Sequence, residues 1–520
     1  MINNPVLRGF HADPSMICVD GTFYVANSTF DYYPGVKISA STDLANWHTV
    51  SYPLKDKKHI NLKGNPTSAG VWAPCLSYCD GLFYLVYSDV KYWANYPFKD
   101  PYNFITTAKD PAGEWSDPIY TDSRGFDASL FHDDDGRKYY MSMEWDYRKN
   151  DGGDQFAGIL LTEVDPKSLA PIAETQCIFK GTDRQLVEGP HIYKKDGYYY
   201  LFTAEGGTTL DHAETVARSK NIYGPYELHP FKHMATTAFA KDSSYLQKVG
   251  HGSLCEAPDG RWWFAFLCGR PYGKMKTCPL GRETGISEIV WKEDWPYLAS
   301  GTQVPAASFE GYGELNEPKE IVYDFNSKLF LDDFQSLRVP AKYEIVGKTL
   351  RLYGNETPIS THEQSLLARR QDAMNFEAET VVEFNPTNYR QMAGLTYRYN
   401  ETNQYYLRIS WDENKNERVV GVLAWDRGSF TRTPDDKEIG VGPSGRVWLR
   451  VVVNTEEARF FCSTDGKDFF ELPNVYNATK LSDEYAEPMG FMGAFVGMMA
   501  TDIDRKTSCA DFQSFKYIRK

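Results

Sequence analysis

The sequence predicts an all-β protein in two parts, a five-bladed β-propeller followed by a β-sandwich. Three observations lead there. An Asp-Gly turn leading into an aromatic-rich strand recurs five times in the first 270 residues, the recurrence is nearly even, and the remaining chain alternates like half-buried strands. The five copies are Asp20-Gly21, Asp80-Gly81, Asp135-Gly136, Asp196-Gly197 and Asp259-Gly260, with successive turns 60, 55, 61 and 63 residues apart. Asp-Gly between apolar runs marks a tight hairpin, because glycine accepts the positive φ that a primed turn demands.

A third strand follows several hairpins. Val36–Leu44 runs on to Trp47, Ile105–Asp110 to Trp115, and Thr215–Ser219 to Tyr223-Gly224-Pro225-Tyr226. A period near 60 with several short strands per unit suits a propeller blade, and five units give five blades over 1–300. The repeat stops after Trp295-Pro296, and a polar stretch, 301–325, reads as a linker. Segments such as Phe376–Phe384 and Arg446–Val453 then alternate with a period of two and show no long helical periodicity. They predict a sandwich over 326–520.

Composition narrows the function classes. The formal charge of −14 argues against nucleic acid, which is gripped through basic patches. No run approaches the roughly 20 apolar residues that cross a bilayer. The opening Met1-Ile2-Asn3-Asn4-Pro5-Val6 has neither a charged nor an apolar leader region, so a cytoplasmic location is expected. Nine cysteines without zinc-like spacing read as reduced thiols. The 35 Tyr, 30 Phe and 12 Trp suit either an all-β core or the flat apolar faces that grip sugars.

In a propeller the innermost strands line a central channel, so equivalent positions in the blades face one another. Counting back seven or eight residues from each Asp-Gly turn gives Asp13, Trp72, Asp127, Glu188 and His251. Three carboxylates, an indole and an imidazole therefore converge at one channel mouth. They either cap backbone groups, hold a cation in the channel, or perform chemistry. Cleaving a glycosidic bond needs such a set: an acid to protonate the leaving oxygen, a second carboxylate for the opposite face, and a third acid to keep the first protonated.

The segments carrying these residues resemble glycoside hydrolase family 43. They are Asn4–Ser15, Gly70-Val71-Trp72-Ala73-Pro74, Gly125–Leu130, Val187-Glu188-Gly189-Pro190-His191, Gly250–Leu254 and Leu280–Thr284. Gln364–Gln371 and Gly493–Met498 are similar to the concanavalin-like C-terminal sandwich of the β-xylosidase branch. The resemblance implies an exo-acting, inverting hydrolase that releases xylose from non-reducing ends of xylo-oligosaccharides, with activity on α-L-arabinofuranosides compatible. It implies Asp13 as general base, Glu188 as general acid, and Asp127 as the residue that raises and orients Glu188. Arg282 would bind sugar hydroxyls. His251 would sit under the site, touching the sugar or a cation such as calcium, with no cofactor otherwise required. Phe30, Trp72 and Trp145 would be apolar walls, and Phe495 of the second domain would close the pocket. His11 would be a partner of Asp13 or a core residue, and His191 structural. The aromatic cluster in Lys91–Asp100 would face the outer subsite. A homo-oligomer is compatible with all of this. Two other readings stand beside it, a retaining fructan-type glycosidase and a non-catalytic carbohydrate-binding propeller. Ala12-Asp13-Pro14-Ser15 departs from the Asn-Asp-Pro-Asn opening of the former, and the full set of acids argues against the latter.

Overall fold

The computed structural model describes residues 1–94, 97–149 and 155–520. Five antiparallel sheets follow one another along the chain, each built outward from the strand after a candidate axial residue. Their innermost strands are Ser15–Val19, Cys75–Cys79, Ser129–His132, Glu188–Lys195 and Gln247–Glu256. In each sheet the Asp-Gly turn joins that strand to the next: Val19 pairs with Thr22, Cys79 with Leu82, His132 with Lys138, Lys195 with Tyr198, and Glu256 with Trp262.

Neighbouring sheets stack through their apolar faces. Tyr200, Phe202 and Val216 of the fourth sheet meet Phe264 and Phe266 of the fifth. Met16, Phe23 and Val25 of the first meet Trp263 and Ala265 of the fifth. Each such fully buried side chain contributes on the order of 1.5–3 kcal/mol, which holds the ring of blades closed. The N-terminal segment also straps the ring: Ile2–Asn3 pairs with Ser308–Phe309, and Val6 N–H donates to Thr284.

The second unit is a sandwich of two large antiparallel sheets. One runs from Tyr343–Val346 through Thr349–Tyr353, Cys509–Arg519, Asn375–Glu383, Arg446–Asn454 and Glu457–Ser463 to Phe470–Glu471. The other runs from Ser429–Arg432 through Glu417–Asp426, Gln404–Asp412, Gln391–Arg398, Phe495–Asp502 and Ser365–Arg370 to Phe334–Leu337. Its first strand, Glu320–Tyr323, pairs with Cys509–Arg519 and lies inside the stretch read from sequence as linker.

The two units are joined by backbone as well as side chains. Tyr32–Tyr33 of the first blade pairs with Ser336–Leu337 and extends a sandwich sheet at its edge. Beside it Arg338 bridges Asp31 at 3.0 Å and Glu401 at 2.6 Å, all three buried. All nine cysteines are unpaired. Among the described residues, no helix is long and apolar enough to cross a membrane.

Candidate active site

Asp13, Asp127 and His251 take left-handed backbone conformations, with φ of 53°, 54° and 46°. A non-glycine residue held there stores on the order of 1–3 kcal/mol and persists where the surroundings fix it. Here the turn throws each side chain into the channel mouth before its strand begins or, for His251, within a register break between Gly250 and Ser253. Glu188 opens its strand beside another break, between Glu188 and His191. Gly189 must be glycine: a Cβ there would lie 2.7 Å from His251 Nε2, and its φ is +59°.

Asp13, Asp127, Glu188, His251 and Arg282 line one cavity of about 220 Å³. That is the space of about seven waters, about that of one sugar ring. Asp13 Oδ1 accepts from Arg282 Nη1 at 2.8 Å and lies 3.6 Å from His251 Nδ1, while Oδ2 accepts from Ser28 Oγ at 2.6 Å. Polar atoms of Asp127, Glu188 and His251 all lie within 4.8 Å of one another.

These surroundings drive the acids in opposite directions. Burial alone would push Asp13 up, but Arg282, His251 and the Ser28 hydroxyl outweigh it and hold the carboxyl below its ordinary value. Burial pushes Glu188 up, Asp13 adds to the push, and Arg282 and Lys99 only partly offset it, leaving Glu188 at about 8. Asp127 is raised well above the carboxylate range by burial, then by Glu188 and Asp13. At neutral pH the site therefore holds an ionised Asp13 opposite a protonated Glu188. Burial and Arg282 lower His251 against the pull of Asp13 and keep it neutral. Asp127, Glu188 and His251 have the spacing to grip a cation. Calcium takes about 6–8 oxygens, so waters or sugar hydroxyls would have to complete its shell.

The apolar walls match the sequence expectation in part. Phe30 and Trp72 line the cavity. Phe30, at φ 50°, is pinned by paired backbone bonds to Val71, and the close approach needs Gly70, where a Cβ would lie 2.3 Å from the Phe30 carbonyl oxygen. Trp72 donates its indole N–H to Ser68 O at 2.9 Å.

Two assignments are corrected. Trp145 stands behind the wall: its indole N–H goes to Pro97 O at 2.6 Å, and its ring packs on Phe156 and under the Lys99 ammonium. Phe495 does not close the pocket. It is the first residue of a fully buried strand, its ring stacked on Tyr32 at 3.7 Å and edge-on to Phe10, and it does not line the cavity. The closing residues are Phe491 and Met489, in the loop before that strand. Phe491 is tied to the propeller twice, its N–H donating to Ser68 Oγ at 3.0 Å and its carbonyl accepting from Arg282 Nη2 at 2.8 Å. The Arg282 guanidinium lies 5.1 Å over the Phe30 ring and 5.5 Å over that of Phe491.

Of the aromatic cluster in 91–100, Asn95 and Tyr96 lie outside the described residues. Trp93 packs against Trp72 and Phe491. Lys99, which sequence reading passed over, reaches the cavity among the rings of Trp72, Trp93 and Trp145, and burial lowers it to about 8. Only the aromatic density around it hinted at that role. His11 donates from Nδ1 to Arg8 O at 3.1 Å and does not touch Asp13, while His191 sits 3.9 Å from Cys75 Sγ, below the site.

A propeller whose channel mouth sets an ionised carboxylate against a protonated one, under a flap from a concanavalin-like sandwich, defines a glycoside hydrolase. The chain belongs to the glycosyl hydrolases family 43, whose model matches residues 2–296, and residues 322–518 match the beta xylosidase C-terminal concanavalin A-like domain. Among its relatives it is 41% identical to a beta-xylosidase of Bacillus subtilis (strain 168), over 100% of both chains. It is 43% identical to xylosidase/arabinosidase 43B of Humicola insolens, over 99% of this chain and 97% of that one. The crystal structure of a xylan beta-1,4-xylosidase from Bacillus halodurans C-125 superposes with a TM-score of 0.95 at 41% identity, covering 100% of each chain.

Proposed function

We propose that this hydrolase is an exo-acting β-xylosidase that works by inversion and also accepts α-L-arabinofuranosides. The observation that carries the reading is the opposed ionisation of Asp13 and Glu188, which line one cavity. Asp13, charged and fixed by Arg282 and Ser28, takes a proton from water as that water attacks the anomeric carbon. Glu188, protonated, gives its proton to the departing glycosidic oxygen. Asp127, raised together with Glu188 and within 4.8 Å of it, orients that acid, and once the pair has lost one proton it keeps the other on Glu188. Each proton transfer of this kind contributes typically 10²–10⁴-fold.

Pocket shape supports the exo mode. The flap carrying Phe491 and Met489 stops the cavity after one ring, so only a chain end enters. The names of the relatives support the sugar class, a pentose presented as xyloside or arabinofuranoside. A cation near His251 would supply positive charge to the Asp127–Glu188 pair; the proton transfers themselves use only protein side chains.

Initial rates on paired nitrophenyl β-D-xyloside and α-L-arabinofuranoside test the sugar class, and proton NMR of the first sugar released tests the stereochemistry. The expected product of a β-xyloside is α-xylose. If β-xylose appears first, Asp13 is a nucleophile and the inverting assignment fails.

A further inference from the structure

Away from the active site, two buried cations of the domain interface lack an acidic partner. Lys37 lies on the third strand of the first blade and Arg370 at the end of the sandwich strand Ser365–Arg370. They are 7% and 4% exposed. Other buried cations of this interface and its surroundings are matched: Arg282 to Asp13, Arg338 to Asp31 and Glu401, Arg369 to Asp372, and Lys248 to Glu484. Among the described residues neither Lys37 nor Arg370 comes within 4.0 Å of a carboxylate oxygen.

Their bonds to neutral groups leave most of their donors free. Lys37 Nζ meets His11 Nε2 at 3.2 Å, and His11 Nδ1 is committed to Arg8 O, so the lysine is the donor. Arg370 Nε donates to Phe10 O at 2.6 Å, while Nη1 and Nη2 are buried without a hydrogen-bond partner. Phe10 and His11 adjoin in the chain, so the two cations converge on one backbone segment. The nearest acids are engaged elsewhere, Asp332 with Lys328 and Asp333 with the Tyr323 hydroxyl. Two of the three ammonium N–H bonds thus lack acceptors, and the terminal guanidinium nitrogens have only the Tyr52 hydroxyl beside them, itself donating to Asp332 O, in a place where an unpaired charge costs several kcal/mol. Burial and the nearby Arg370 guanidinium push the Lys37 ammonium down to about 7, against the weaker pull of Asp333 and Asp332. Lys37 and His11 border a cavity of about 680 Å³ between the domains, which Asp332 and Asp333 also line and which gives a small solute access to the lysine.

We propose that Lys37 and Arg370 form an interdomain site for a small inorganic anion, a halide or a phosphate, which bolts the first blade to the sandwich. The ligand class follows from the donor set: several unfilled N–H groups on two basic side chains, with Asp332 and Asp333 already engaged by Lys328 and Tyr323, select a compact anion over a sugar or a cation.

The test is thermal unfolding of the full chain at constant ionic strength, with sodium gluconate replaced by chloride, bromide or phosphate. For the wild type the midpoint should rise saturably, on the order of 2–4 °C, with the effective ion distinguishing halide from phosphate. Lys37→Met keeps the volume and removes one charge, so it should unfold no earlier than wild type in gluconate and lose the anion response. Arg370→Met should lose it as well. An equal rise in wild type and variants would be a general salt effect and would overturn the proposal, as would no rise at all. Crystals soaked in bromide give a reading independent of any variant. An anomalous peak within hydrogen-bond reach of Lys37 Nζ and an Arg370 terminal nitrogen is expected, and waters alone at that position would overturn the site.

Discussion

Replacing Asp127 with asparagine keeps the shape of the site and removes one titratable acid from a buried, coupled pair. Polar atoms of Asp127 and Glu188 lie within 4.8 Å. At an effective dielectric of about 20, two unit charges at that spacing repel by about 3.5 kcal/mol, equivalent to about 2.5 pH units. The pair shares its protons, so that figure is a ceiling, and a shift of about 1–2 units is expected. The sign follows directly. Glu188 stands at about 8 because burial and the Asp13 charge push it up, and once the coupled pair has lost one proton a charge on Asp127 holds the other on Glu188. Without the Asp127 charge it ionises at lower pH, and the alkaline limb of kcat/KM moves down. The assay is the pH–rate profile on xylobiose from pH 4 to 10, since a sugar leaving group depends on the acid's proton. Lys99→Met supplies the opposite arm: the ammonium lowers Glu188, so its removal should move the same limb up. An alkaline limb unmoved in Asp127→Asn would refute the reasoning, because Asp127 would then carry its own proton throughout and exert no repulsion.

Other outcomes follow from the same geometry. Glu188→Ala should lose 10²–10⁴-fold on xylobiose but much less on an activated aryl xyloside, whose leaving group needs little protonation; equal losses would remove Glu188 from the acid role. The wild type should release only xylose from xylohexaose at early times, and xylotriose among the first products would mean an open cleft. Phe491→Ala removes the ring that stands against Trp72, Trp93 and Arg282, and should cost roughly tenfold in kcat/KM on xylobiose with little change in melting temperature. Arg338→Met leaves Asp31 buried without its cation and Glu401 with only Arg398 at 3.4 Å, and should destabilise the protein by about 3–5 kcal/mol in denaturant titrations; a loss below about 1 kcal/mol would show that the trio adds nothing to the domain interface.

The blades were legible because hairpin chemistry is local. Asp-Gly turns recur wherever the first two strands of a blade meet, so counting back from them reached Asp13, Trp72, Asp127, Glu188 and His251, all of which line the cavity. Phe30 and Arg282 line it too, although family likeness and not counting pointed to them. The pocket's roof was not legible. Phe491 and Phe495 are four residues apart, Phe491 just ahead of the motif Gly493–Met498, and only the start of the strand at Phe495 decides that one is locked in a sheet while the other is free to reach Arg282. Trp145 fails for a related reason, since its N–H is drawn to Pro97, a contact no spacing announces. Lys99 escaped because a lysine among aromatics normally reads as a solvated residue, and its burial depends on three indoles from separate segments.

The strand that Tyr32–Tyr33 lends to the sandwich has a consequence for modularity. Two domains joined by side chains alone can be separated, recombined and swapped as cassettes. Here a cut between them would strip Ser336–Leu337 of its edge partner and expose unpaired backbone groups, an invitation to aggregation. Phe30 lies two residues before that shared strand and forms a wall of the cavity, so a graft that shifts the strand's register also moves the wall. A propeller of this kind should exchange its sandwich only with relatives that preserve the pairing. Changes in pocket size are then more readily reached through the short loop at Met489–Phe491 than through the shuffling of whole domains.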